Sequence, residues 1–253
     1  MKKLLLATIF TSASLFAAEP LRLSTDGTYP PFSEINEKGE MIGFDIDIGN
    51  ALCAEMKREC TWTSLDFDAL ISSLKANKVD VLVASMNANE ERRKSVAFTN
   101  TYYQNPGIFV RAKGSKVELT PEGLKGKVIG VLRSSIFDDY VTAKFKDIAE
   151  IQRYSGQGEA FLDAGAGRVD VLFADAVVMH DGFLDRDEGK EFEVFGEEVN
   201  DPTYFGEGIA IAVRLEEQQL VEDLNKALQA IKDNGTYKTI NDKYFKYDIS
   251  GGK

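Results

Sequence analysis

Four short runs of this chain carry side chains suited to gripping a small charged molecule. In Ser24-Thr25-Asp26-Gly27-Thr28-Tyr29-Pro30-Pro31-Phe32, a short apolar strand opens into a Gly/Pro turn. Asp26, at the strand end, either caps that turn or faces a ligand, and spacing alone slightly favours the cap. Tyr29 and Phe32, stiffened by neighbouring prolines, form either an aromatic platform or a plug for a core. The second run, Ser85 to Lys94, offers Asn87 or Asn89 as a helix cap, Glu90 and Glu91 in a first turn, and Arg92 near a strand end. A guanidinium there can hold a carboxylate through two parallel hydrogen bonds, and the run itself leaves open which arginine points inward. The third run, Leu132-Arg133-Ser134-Ser135, joins a strand to a helix start. Its free amides and hydroxyls suit a carboxylate, and Ser135 can cap the helix at the same time. The fourth is Asp175, which ends an apolar strand.

No catalytic constellation accompanies these residues. One histidine, His180, without a cysteine cluster makes no zinc site. A serine for a triad would need a G-x-S-x-G elbow, which the chain lacks, and neither G-x-G-x-x-G nor a Walker A run occurs. Asp45-Ile46-Asp47 begins like a calcium loop but lacks the later glycine and glutamate. The expectation is a binder rather than an enzyme, with no cofactor and no metal.

The elements that must position these residues announce themselves by near-repetition. Lys78-Val-Asp-Val-Leu-Val-Ala-Ser85 and Arg168-Val-Asp-Val-Leu-Phe-Ala-Asp175 each follow a helix-like segment and end on one polar side chain. Continuous apolar strands flanked by helices belong in parallel α/β sheets covered on both faces. Ligands of such sheets bind at the carboxyl ends of strands, where Ser85 and Asp175 fall. Two α/β lobes around a cleft are the expected architecture.

Met1-Lys2-Lys3, a short apolar stretch over residues 4–16, and Ala17-Ala18 before Glu19 read as a secretory leader over residues 1–18, its cut uncertain by one position. The stretch is too short to span a bilayer. An exported chain with only Cys53 and Cys60 is expected to pair them, tying a helix end to its outgoing strand and contributing roughly 2–3 kcal/mol. The formal net charge of −11 grows more negative once Lys2 and Lys3 are removed, which disfavours nucleic acid and anionic membranes as partners.

Together these residues resemble the periplasmic solute-binding proteins for polar amino acids (extracellular family 3), and most closely the lysine/arginine/ornithine- and histidine-binding subgroup. The resemblance rests on Asp26-x-x-Tyr29-x-Pro-Phe, Gly43-Phe-Asp45-Ile-Asp47, Phe67-Asp-Ala-Leu-Ile, Glu91-Arg92 with Phe98-Thr99, and Asn234-Gly-Thr-Tyr237 with Lys243-Tyr-Phe. The Cys53/Cys60 spacing matches that subgroup's disulfide. The family's fold implies two α/β lobes joined by two crossing strands, with lobe 1 over residues 19–106 and 207–253 and lobe 2 over residues 107–206.

The resemblance also implies roles. Arg92 matches the clamp on the ligand α-carboxylate, aided by the hydroxyl and amide of Ser135. Asp175, with Ser85, matches the acceptor of the α-ammonium. Tyr29 and Phe67 match the ring pair around the aliphatic stem, and Asp26 the carboxylate facing a basic side chain, which moves Asp26 from cap towards site. Departures are Asn87 and Asn89, where the family usually has Ser or Thr, and Ile136 after Ser135. The implied function is a monomeric periplasmic receptor delivering a basic amino acid, arginine first, then ornithine, lysine and histidine, or an arginine derivative such as an opine towards which Asn87 and Ile136 could redirect it, to an ABC permease. A cyclohexadienyl dehydratase on the same fold and a ligand-presenting sensory protein are the alternatives.

Overall fold

The computed structural model describes residues 19–250, so the expected leader, residues 1–18, lies outside the described residues. Two five-stranded sheets arise from different stretches of sequence. The first has the spatial order Cys60–Ser64, Leu21–Thr25, Val81–Leu82, Ala212–Val213, Ala97–Phe98. The second runs Glu150–Tyr154, Val128–Leu132, Val171–Asp175, Gly107–Ala112, Phe192–Val199. In each, three parallel strands are followed by two that join through antiparallel pairing.

The near-repeat is thereby explained. Val81–Leu82 and Val171–Asp175 occupy the same third place, each parallel to the strand in second place, Leu21–Thr25 or Val128–Leu132. The aspartates of the repeated Val-Asp step also act alike. Asp80 accepts from the Arg22 amide at 3.1 Å, and Asp170 from the Val128 amide at 2.9 Å, so each fastens the start of its strand to a neighbour.

Helices cover both faces of both sheets, as buried apolar strands require. On the first sheet, Phe44–Glu55 and Gln218–Asp233 pack on one side and Leu70–Lys75 on the other. The helix Gln218–Asp233 buries Leu224, Ala227, Leu228 and Ile231, an i, i+3, i+4, i+7 stripe. On the second, Ile136–Phe145 and Pro202–Phe205 share a core with Phe109 and Phe173, while Gln157–Gly165 lies on the opposite face. Cys53, on the helix Phe44–Glu55, is bonded to Cys60 at the start of the next strand, as expected.

The chain crosses between sheets twice, after Phe98 and again before Ala212. The two crossings lie side by side: the Ile209 amide donates to Tyr103 and the Tyr102 amide to Ile209, both at 3.0 Å. Between the first strand and the helix Phe44–Glu55, a small sheet of Thr28–Tyr29, Ser33–Ile35 and Met41–Ile42 grows out of the Gly/Pro turn. The result is two α/β lobes on two crossing strands.

Candidate ligand-binding site

The floor of the site begins with Asp45, fully buried at the start of the helix Phe44–Glu55. Its carboxylate accepts from the Ser85 amide at 2.7 Å, the Ser85 hydroxyl at 2.9 Å and the Tyr102 hydroxyl at 2.6 Å. These bonds hold Ser85 in the left-handed region, at φ 49°, where a non-glycine residue is strained. Because the Ser85 hydroxyl donates to Asp45, its oxygen faces outward only as an acceptor. Asp45 therefore shapes the site from beneath.

Of the two candidate caps, Asn89 caps the next helix, accepting the Arg92 amide at 2.9 Å. The cap turns Arg92 inward, where it is 9% exposed, while Arg93 pairs outside with Glu207 and Lys94 with Glu91. The Arg92 guanidinium donates to the carbonyls of Asn87 (3.2 Å) and Ser134 (3.3 Å) and lies over the Phe67 ring. It has no carboxylate partner among the described residues. Burial lowers its pKa to about 10.

Ser134 and Ser135 approach Arg92 from the second lobe. Ser134 is also left-handed, at φ 58°. Ser135 caps the helix Ile136–Phe145, its hydroxyl accepting the Asp138 amide at 3.2 Å and donating to Leu132 at 2.7 Å. The capping reading of Ser135 thus holds, and the residue still lines the cavity.

The cavity these residues line is small, with interior room for about one water molecule. It brings together six of the sequence-assigned residues: Tyr29, Phe67, Ser85, Asn87, Arg92 and Ser135. Ile136 and Phe137, at the first turn of their helix, complete the second-lobe wall with Leu132. Of the two turn aromatics, Tyr29 faces the cavity, whereas Phe32 stacks on Tyr103 in the core at 4.9 Å.

Asp26 and Asp175 are not among the lining residues but flank Tyr29 electrostatically. Burial lifts the Tyr29 phenol well above its ordinary value, and the charges of Asp175 and Asp26 push it the same way. Asp175 caps the following helix, one oxygen accepting from Val177 (3.0 Å), Val178 (3.2 Å) and the Asn105 side chain. Burial raises its pKa to about 7 against those bonds. Asp26 is divided between its two readings. Oδ1 caps the turn, accepting from Thr28 at 3.1 Å and Ser33 at 2.9 Å, while Oδ2 is buried with no partner among the described residues. Burial raises its pKa to about 6, and that of Asp45 to about 7.

The lobes meet around this site. Arg133 pairs with Asp68 at 3.3 Å. Asn87 and Asn89, which depart from the family pattern, send their amides to the carbonyls of Phe205 (3.1 Å) and Tyr204 (3.0 Å) at the end of the helix Pro202–Phe205. Gly206 follows at φ 60°, and a Cβ there would collide with the Ala88 carbonyl. Asn105 and Ser33, which support the two aspartates, were not singled out by sequence. Asn105 lies 70 residues from Asp175, too far for local spacing to reveal, whereas Ser33 stands only seven residues beyond Asp26, at the end of the same turn.

A family model for bacterial extracellular solute-binding proteins, family 3, matches residues 21–247. The L-arginine-binding protein of Pseudomonas aeruginosa is 45% identical over 257 residues, covering 99% of each chain. The lysine/arginine/ornithine-binding periplasmic protein of Escherichia coli K12 is 38% identical over 250 residues, 98% of this chain and 96% of its own. Among solved structures, a Salmonella typhimurium periplasmic binding protein described for high arginine specificity superposes with a TM-score of 0.83 at 31% identity, covering 90% of this chain and 100% of its own. The chain belongs to the bacterial extracellular solute-binding proteins of family 3.

Proposed function

We propose that this protein captures a basic L-amino acid, arginine first and then ornithine, lysine and histidine, and delivers it in the periplasm to an ABC permease. The observation that carries this reading is a separation of charge. Arg92 is a buried cation that no carboxylate among the described residues contacts, Asp139 acting on it only from beyond ion-pair distance, while Asp26 and Asp175 are buried acids with no basic side chain in contact among those residues. Unpaired buried charge is costly, so the arrangement is complementary to a ligand carrying one carboxylate and two cations. Arg92 with Ser135 takes the carboxylate, Asp175 with Ser85 the α-ammonium, and Asp26 the side-chain cation. Tyr29 and Phe67 flank the stem, and Asn87 shapes the floor. The names of the relatives in Pseudomonas and Escherichia support the same ligand class.

The lobes are taken as residues 19–106 with 207–253, and 107–206. Ligand bridging Arg92 and Asp175 stabilises the closed state by its differential affinity, and that state is what the permease recognises. A dehydratase of dicarboxylates fits less well, because Asp26 and Asp175 repel such a substrate. Phenylpyruvate formed from prephenate would reverse that judgement.

The test is a thermal-shift screen of mature protein, refolded to strip bound ligand, against the amino acids with ornithine and citrulline. Ligand at 100 times its Kd adds about 2.7 kcal/mol to stability. Large shifts confined to basic amino acids are expected, and shifts only with neutral or acidic ones would refute the assignment.

A further inference from the structure

Gln157 opens the helix Gln157–Gly165, and its side chain is fully buried. Neither its amide nitrogen nor its carbonyl oxygen has a hydrogen-bond partner among the described residues. The preceding Gly156 packs against Thr28, whose amide donates to Asp26 Oδ1. The helix start of one lobe therefore meets the Asp26 turn of the other. In that turn, Asp26 Oδ2 and Thr25 Oγ1 are also buried and unpartnered among the described residues. Folded interiors leave few polar groups unbonded, each at a cost of about 1–3 kcal/mol. Several gathered where two lobes meet indicate polar partners that arrive from outside the chain.

We propose that Gln157 and Asp26 together form the subsite for the far end of the ligand side chain, selecting a planar guanidinium over a terminal ammonium. The proposal rests on the binding function above and adds a residue and a preference to it. Gln157 Oε1 and Asp26 Oδ2 are both acceptors, one neutral and one charged, presented from opposite lobes. A guanidinium offers five N–H donors in a rigid plane and can serve both at once. The ammonium of ornithine or lysine is a compact point charge; it pairs with Asp26 and leaves the Gln157 carbonyl unbonded. Sites built to bond a particular group reject ligands lacking it far more strongly than apolar pockets reject a missing methylene.

The experiment compares wild-type mature protein with Gln157→Met and Gln157→Glu by titration calorimetry, using arginine and ornithine as ligands. Methionine matches the length of glutamine without its polar atoms. Gln157→Met is expected to weaken arginine by about tenfold or more and ornithine by less than about threefold. Its unliganded Tm is expected to stay level or rise, since an unbonded buried amide has been removed. Gln157→Glu, which keeps an acceptor, should retain the preference for arginine. Equal losses for both ligands, an unchanged arginine affinity, or a lower unliganded Tm for Gln157→Met would each overturn the subsite. If wild-type protein binds neither ligand, the proposed function itself falls. Wild-type binding that survives unchanged in Gln157→Met removes only the subsite.

Discussion

The two near-identical segments, residues 78–85 and 168–175, begin alike and end differently. At their starts, Asp80 and Asp170 each bond the amide of a neighbouring strand and an adjacent basic side chain, Arg22 or Lys127. Asp80 is gripped further by Arg214, and its carboxyl is held well below the usual carboxylate range by Arg22 and Arg214, which overcome its desolvation. At the other ends, Ser85 is bent into a left-handed conformation over Asp45, while Asp175 is buried with no cation in contact among the described residues, and burial pushes its pKa up to about 7. Both segments start on a satisfied charge, but only the second ends on an ionisable group that no cation among the described residues contacts. The starts secure stability, and the proposed ligand contacts fall at the ends.

The contrast makes ordered predictions. Arg92→Ala and Asp175→Asn should each weaken arginine binding by roughly 30-fold or more, the consequence of leaving the ligand's opposite charge buried and unpaired. Calorimetry showing affinity within threefold of wild type would contradict the assignment of either residue.

The next effect is in pH. The folded pKa of Asp175 is raised above its unfolded value. Its favourable contribution to the unliganded closed form is therefore present below pH about 4 and lost as pH rises through about 7. A ligand ammonium reverses this by holding the carboxylate ionised. Arginine binding should thus tighten by about tenfold or more between pH 5 and pH 8, with a flatter profile in Asp175→Asn. A wild-type profile flat across that range would count against the pairing.

At the strand starts the sign is opposite. Asp80 has a depressed pKa, so its contribution is present above the unfolded value and lost as pH falls through the folded one. Asp80→Ala should lower unfolding free energy at pH 7 by about 2–3 kcal/mol in urea melts. Ligand affinity should remain within about twofold, and a large loss would blur the division between the two strand ends. The smallest effect belongs to Asp170→Ala, whose ion pair with Lys127 is about one-third exposed on both sides. About 1 kcal/mol of destabilisation, mostly from the orphaned Val128 amide, is expected, again without change in affinity.

Much of this was legible in the sequence wherever the cause was local. A buried parallel strand needs a continuous apolar run, so both third strands and the polar residues at their ends could be read directly. A cysteine pair spaced for a helix end and its outgoing strand gave the disulfide, and a cap three residues before Arg92 gave the helix it opens. Family resemblance supplied Phe67, which no local pattern marks, and the structure places its ring against Arg92.

What the sequence by itself determined, then, is the pair of α/β sheets and the polar residues at their strand ends. Those follow from periodicity, capping and apolar runs, which act over a few residues. Tertiary structure alone decided that Arg92 rather than Arg93 turns inward, that Asp26 serves as cap and bare acceptor at once, and that the Gln157 side chain is buried with no partner among the described residues. It also gave Asn87 a carbonyl partner 118 residues away. These outcomes depend on two lobes built separately and brought together by crossing strands, and no pairing across that gap is encoded in local spacing.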